Sequence, residues 1–167
     1  MHVFSALMPP ADVVDALAAE LGERGGGRLR WSLPEDWHVT LGFYGHADAA
    51  ERAGWLRERL AGRPAIDVRL ENAGTFPGVL WLTVASEGLT ALALAAGADA
   101  EARPYRAHLT LARFPREEPE FVRPWKTRLA RFSSRAWTAT EVVLMRSERT
   151  PDGSRYRVTD RFPLERA

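Results

Sequence analysis

Apolar positions recur along this chain with two periods, and the switches between them set its elements. Val3, Phe4, Ala6 and Leu7 predict a first strand over His2–Met8, ended by Pro9-Pro10. Val13, Val14, Leu17 and Leu21 then follow at helical spacing behind prolines that suit a helix start, so the helix runs to Gly22 or Arg24. Gly25-Gly26-Gly27 reads as a flexible connector, Arg28–Ser32 as a short strand, Pro34-Glu35-Asp36 as a turn and Trp37–Tyr44 as the next strand. Asp48 with Glu51 three residues on predicts a capped helix that carries Leu56 and Leu60 inward and stops near Gly62-Arg63-Pro64. Ile66, Val68 and Leu70 alternate with Asp67, Arg69 and Glu71, the pattern of a half-buried strand. Phe76-Pro77-Gly78 turns it back into Val79–Ala85, forming a hairpin. A helix over Leu89–Ala98, a strand over Ala107–Phe114 and a charged loop over Pro115–Pro119 come next. Phe121–Leu129 reads as a short helix interrupted by Pro124. A strand over Ala136–Arg146 and a turn at Pro151-Asp152-Gly153 lead to a last strand carrying Tyr156, Val158 and Phe162.

Helices interrupt groups of strands without a strict βαβ rhythm, which predicts an α+β fold with antiparallel pairing. The length of 167 residues is one domain's worth of chain, so residues 1–167 are expected to form a single unit.

Two of the expected strands carry the same tetrapeptide pattern: His38-Val39-Thr40-Leu41 and His108-Leu109-Thr110-Leu111. Side chains two apart on a strand share a face, so each His and Thr point one way and each apolar pair anchors the other. One such tetrapeptide arises often by chance in a half-buried strand. Two matched copies in a chain with only four histidines single out a chemistry. An imidazole titrates near pH 6.5, so of two facing one cleft, one can take a proton and the other give one. The threonine hydroxyls are suited to hold phosphate oxygens. His38 and His108 are therefore the candidate catalytic pair, with Thr40 and Thr110 as candidate substrate-binding residues. By strand parity Tyr44 and Arg106 fall on the histidine faces, and Arg113 does not. Tyr44, Trp37 and Tyr105 flank the motifs as candidate stacking or packing aromatics. His2 and His46 read as strand-end and surface residues.

Composition narrows the picture. Net charge is +1, but residues 103–135 hold nine Lys or Arg against three acids, a basic stretch around the second motif. A basic wall beside a phosphate site and an ordinary solvated surface both account for it. There are no cysteines, which excludes thiolate nucleophiles and Cys-based metal sites and fits a reducing cytoplasm. No zinc-type His spacing, phosphate-binding Gly-Lys loop or serine elbow occurs, so no metal and no cofactor is expected. The N-terminus lacks a signal-peptide pattern, and no apolar run approaches the length of a membrane span.

The paired motifs resemble those of the 2H phosphoesterase superfamily. Arg30-Trp31 and the loop into Trp37-His38-Val39-Thr40-Leu41, with Phe43 and Gly45, resemble the first motif region of bacterial RNA 2′,3′-cyclic phosphodiesterases, also called 2′-5′ RNA ligases. Arg103-Pro104-Tyr105-Arg106-Ala107-His108-Leu109-Thr110-Leu111-Ala112-Arg113 resembles the second, where Arg113 matches the family pattern. Val143–Glu148 with Tyr156 and Phe162-Pro163-Leu164 resembles the C-terminal strand pair. The helix ahead of Arg103 is shorter here than is usual in that family. The resemblance implies two related lobes of antiparallel sheet flanked by helices, with the active-site groove between them. It implies metal-independent hydrolysis of RNA 2′,3′-cyclic phosphate ends to a 2′-phosphate, with His38 as general acid and His108 as general base. ATP-independent 2′-5′ joining is the related reaction at the same site. The expected partners are RNA or nucleotide ends with a 2′,3′-cyclic phosphate, with neither a membrane nor an obligate protein partner. Two other classes fit the same motifs: a phosphodiesterase for other small cyclic or 2′-5′-linked phosphates, and a non-catalytic RNA-end binding module.

Overall fold

A computed structural model describes residues 1–24, 27–98, 103–151 and 153–166. The Gly25-Gly26 part of the expected connector, the segment just before Arg103 and Asp152 of the expected turn lie outside these residues. The elements run β1 (His2–Leu7), α1 (Ala11–Leu21), β2 (Arg30–Trp31), a 3₁₀ turn at Pro34–Asp36, β3 (Val39–Gly45), α2 (Ala49–Leu60), β4 (Ile66–Phe76) and β5 (Val79–Ala85). They continue with α3 (Leu89–Ala95), β6 (His108–Arg113), a 3₁₀ turn at Pro119–Phe121, α4 (Arg123–Leu129), β7 (Trp137–Ala139), β8 (Glu141–Thr150) and β9 (Gly153–Pro163). The α+β antiparallel expectation holds. All strands join one sheet in the order β7-β4-β5-β6-β3-β1-β8-β9, with β2 added to β6.

The sheet has two halves that mirror one another. Outward from its centre, β3-β1-β8-β9 runs one way and β6-β5-β4-β7 the other. In each half a strand, a helix and then the motif strand follow in sequence: β1-α1-β3 and β5-α3-β6. The helices tie the halves together, because α3 leaves β5 and packs on β3, while Asp12 of α1 pairs with Arg135 beside β7. The halves meet at a single residue pair, Val39 opposite Leu109, both fully buried. Side chains from both halves fill one hydrophobic core on the helix side of the sheet. The resemblance implied two lobes, and the structure joins their strands edge to edge through this one ladder pair and their side chains through the shared core.

Two elements differ from the sequence reading for stated reasons. The single strand expected over Ala136–Arg146 is two strands. Trp137 and Ala139 face the core from β7 against β4, Thr140 interrupts, and β8 pairs with β1 in the other half. The chain changes sheet halves there, which hydropathy alone does not mark. The strand expected over Arg28–Ser32 shrinks to Arg30–Trp31, the two positions that face Arg113 and Ala112 of β6. The predicted cap of α2 is present: Glu51 N–H donates to Asp48 Oδ1 at 3.0 Å.

Each motif strand carries a β-bulge just after its threonine. Against β1, Thr40 faces Ala6 but Phe43 faces Phe4, so β3 holds one extra residue at Leu41-Gly42. Against β5, Thr110 faces Trp81 but Ala112 faces Leu80, so β6 holds one extra at Leu111. Each bulge turns two consecutive residues to the core and resets the parity of those that follow. A buried network fits the first bulge. Gly42 N–H donates to Ser5 Oγ at 3.1 Å, Ser5 Oγ meets Tyr44 Oη at 2.7 Å, and Tyr44 O–H donates to the Ala96 carbonyl at 2.6 Å. A Cβ at Gly42 would lie 2.4 Å from that carbonyl oxygen, so only glycine fits there. Ser5→Ala removes the hydroxyl that serves Gly42 and Tyr44, and we expect it to cost about 1–3 kcal/mol. Urea unfolding checks this: the midpoint falls while the slope stays that of the parent.

Candidate active site

The central pair sets the site. With Val39 opposite Leu109 in an antiparallel register, one further step along each strand puts Thr40 beside His108 and His38 beside Thr110. The apolar residues of both motifs, Val39, Leu41, Leu109 and Leu111, are buried in the core. The four polar residues line one cleft of about 350 Å³ on the opposite face. The four residues expected from the motifs thus come together. Two larger depressions, of about 440 and 820 Å³, lie elsewhere on the surface. Their linings hold no histidine, so the chemistry singles out the smaller cleft.

Both imidazoles are fixed by the same local device. His38 Nδ1 lies 2.7 Å from the Asp36 carbonyl and His108 Nδ1 lies 2.8 Å from the Arg106 carbonyl, each two residues upstream. A carbonyl only accepts, so each Nδ1 carries the proton and donates it. In the neutral ring Nε2 is then left as an acceptor, and in the charged ring as a donor. Aromatic rings hold each imidazole in turn. Phe4 and Tyr156 contact His38 at centroid distances of 5.0 and 5.2 Å, and Phe76 and Trp81 contact His108 at 5.2 and 6.1 Å.

The bulges bring in residues that plain parity misplaces. Phe43, not Tyr44, lines the cleft, with its ring 47% exposed. Tyr44 instead turns inward to the Ser5 network. Arg113, which strict alternation puts on the core side, lines the cleft beside His108 and Thr110. The sequence signal for this was the buried-type pair Leu111-Ala112, which breaks the alternation. Trp37 is fully buried, and Tyr105 donates its hydroxyl to the Thr40 carbonyl at 2.7 Å, so both serve packing. The Arg106 guanidinium sits over the Phe76 ring at 5.8 Å. His2 lines the cleft mouth and packs against His46 at 4.6 Å.

Burial pushes the His38 pKa below the usual imidazole value, and the charge of nearby His108 adds to that, while the Asp36 carbonyl opposes it. Burial likewise pushes the Asp36 carboxyl up, against the pull of Arg155 at 3.6 Å. The Tyr156 phenol is raised by the same cause. Among the described residues, no group of three or more His, Asp or Glu is placed to hold a metal ion. None of the helices described is long and apolar enough to cross a membrane.

Burial therefore biases His38 toward its neutral form when no anion is bound. An anion close to it favours the imidazolium and reverses that bias. Inorganic phosphate is expected to move the His38 titration midpoint up by roughly one pH unit, read by NMR of the ring. A midpoint indifferent to phosphate contradicts the placement of the anion.

Comparison with known proteins places the fold and the family. A family model described as the 2′-5′ RNA ligase superfamily matches residues 9–151. An RNA 2′,3′-cyclic phosphodiesterase of Geobacillus stearothermophilus is 27% identical over 184 aligned residues, covering 98% of this chain. The chain spans 57% of the length of that relative. A crystal structure from Thermus thermophilus superposes with a TM-score of 0.75 at 26% identity, covering 98% of both chains. E. coli LigT in its apo form gives 0.71 at 25%, covering 98% of this chain and 96% of LigT. LigT complexed with 3′-AMP gives 0.69 at 23% over the same shares. Matched over most of its length, with the paired histidine motifs in one cleft, this chain belongs to the 2′-5′ RNA ligase superfamily, the 2H phosphoesterases.

Proposed function

We propose that the protein hydrolyses RNA 2′,3′-cyclic phosphate ends to 2′-phosphates by paired histidine acid–base catalysis. The observation that carries this reading is the matched tethering of the two imidazoles. Each is pinned through Nδ1 to its own backbone carbonyl, and each lines the cleft shared with Thr40 and Thr110. The threonine hydroxyls donate to the non-bridging oxygens and fix the phosphorus between the rings. His108 Nε2 takes a proton from water as its oxygen bonds to phosphorus. The bond from phosphorus to O3′ breaks, and His38 Nε2–H gives its proton to the departing oxygen. The atoms balance: one water is consumed, and the product keeps its phosphate on O2′.

Substrate charge solves the problem posed by the low pKa of His38. The phosphodiester is an anion, so His38 gains its proton as the substrate enters, where an acid is needed. Arg113 adds a fixed positive charge to the same cleft. Exposed Phe43 offers a flat apolar face for a nucleobase, a contact worth about 1–3 kcal/mol. The 3′-AMP bound by LigT and the name of the Geobacillus relative support a nucleotide substrate. With a 5′-hydroxyl RNA in place of water, the same proton transfers would join ends through a 2′-5′ bond without ATP. The cysteine-free chain suits the reducing cytoplasm, where we place this work.

The test is turnover of a short RNA ending in a 2′,3′-cyclic phosphate, with EDTA present. The wild type is expected to give the 2′-phosphate. His38→Ala and His108→Ala are each expected to lose about 10²–10⁴-fold in kcat while remaining folded. A 3′-phosphate product reverses the leaving oxygen. Absence of turnover by folded wild type overturns the substrate and directs the search to other cyclic or 2′-5′ phosphodiesters.

A further inference from the structure

A second group of charges adjoins the cleft, built on Arg113 and on neighbours to which the proposed reaction gives no part. Strand β2 pairs antiparallel with β6 so that Arg30 stands directly opposite Arg113 and Trp31 opposite Ala112. Ser32 extends the ladder, its N–H donating to the Leu111 carbonyl at 2.9 Å. Trp31 turns to the core side, where its ring meets Trp125 of α4 at 4.6 Å. Alternation then sends Arg30 and Ser32 to the other face. Ser32 and Arg113 line the cleft there, and Arg30 is exposed beside them.

Like charges directly opposite on neighbouring strands destabilise a sheet. Acidic partners ordinarily relieve such a pair, and none does so here. Among the described residues no carboxylate lies within ion-pair distance of Arg30 or Arg113. The acids near them in sequence do not offset the pair: among the described ion pairs Glu35 and Glu117 meet neither arginine, Glu118 pairs with Arg28 at 3.1 Å and Asp36 with Arg155 at 3.6 Å. The reacting phosphodiester carries one negative charge and is held by the histidine–threonine quartet. The paired guanidiniums supply charge for a second anion.

We propose that Arg30, Arg113 and Ser32 form a subsite for the internucleotide phosphate next to the reacting end, so that the preferred substrate is an RNA strand rather than a mononucleoside cyclic phosphate. This rests on the nucleotide reading above. Phe43 lies on the β3 side of the cleft and the arginine pair on the β2–β6 side. The terminal base and the neighbouring phosphate are thereby held from opposite flanks. Arginine's fork of donors suits phosphate oxygens, and Ser32 adds a hydroxyl.

The test uses three substrates: a mononucleoside 2′,3′-cyclic phosphate, a dinucleotide with the same end, and that dinucleotide with an uncharged methylphosphonate linkage. The wild type is expected to favour the charged dinucleotide over the neutral one by about tenfold or more in kcat/KM. Arg30→Ala is expected to abolish that preference while turning over the mononucleoside substrate like the wild type, and Arg30→Lys to restore part of it. A preference that survives in Arg30→Ala, or equal use of both dinucleotides by the wild type, overturns the subsite. If the wild type turns over none of the three, the proposed reaction fails and binding decides the subsite separately. Affinity for a dinucleotide ending in a 2′-phosphate is then measured against salt. A shallower salt dependence in Arg30→Ala, by about 0.7 in log–log slope, upholds the subsite, and an unchanged slope overturns it.

Discussion

The site depends on one backbone contact, the pairing of Val39 with Leu109 where the two halves of the sheet meet. Both side chains are sealed in the core, and the residues on either side of each turn the opposite way. An antiparallel register is enough to place each histidine beside the threonine of the other motif. A slip of one residue would send one histidine–threonine pair into the core and its leucines into the cleft. Burial of the leucines and valine therefore fixes the register, and the register fixes the catalytic geometry. The same buried pair serves stability and function through its two faces.

Regular strands alone would not complete the cleft. Four residues in strict alternation supply two imidazoles and two hydroxyls, but further contacts need side chains farther along the same face. The matched bulges at Leu41-Gly42 and at Leu111 provide them, turning Phe43 and Arg113 to the cleft at the same offset from each histidine. One half gains an aromatic face and the other a cation. The first bulge is held by hydrogen bonds from Ser5 and Tyr44, two of the polar side chains drawn into the core side. A bulge orphans backbone groups, and this network pairs one of them.

How much was legible in the sequence follows from what kind of signal each feature leaves. Strict alternation at His38–Leu41 and His108–Leu111 identified the cleft-lining quartet without any structure, because period-two patterns report faces directly. The antiparallel α+β character followed from the order of elements. Parity failed one bulge later: Tyr44 was placed on the histidine face and Arg113 off it, and the structure exchanges both assignments. The extra residue is visible in sequence only as consecutive small or apolar positions. The division of Ala136–Arg146 between two sheet halves was likewise illegible, since both pieces are apolar strands and only tertiary pairing separates them. The tethering of Nδ1 to a carbonyl two residues upstream leaves no sequence trace, because any residue type supplies a carbonyl.

The electrostatics of the cleft follow from its half-buried position. Burial disfavours charge on His38, and in the proposed reaction the substrate anion restores it. The two imidazoles match in their tethers, and the proposed reaction divides acid and base roles between them. The most direct test of that division is the pH dependence of kcat/KM on a cyclic phosphate for wild type, His38→Ala and His108→Ala. A bell is expected for the wild type. Residual activity of His38→Ala should rise with pH to a plateau, and that of His108→Ala should fall with pH. A full bell retained in either variant would contradict the assignment of acid and base to these two residues.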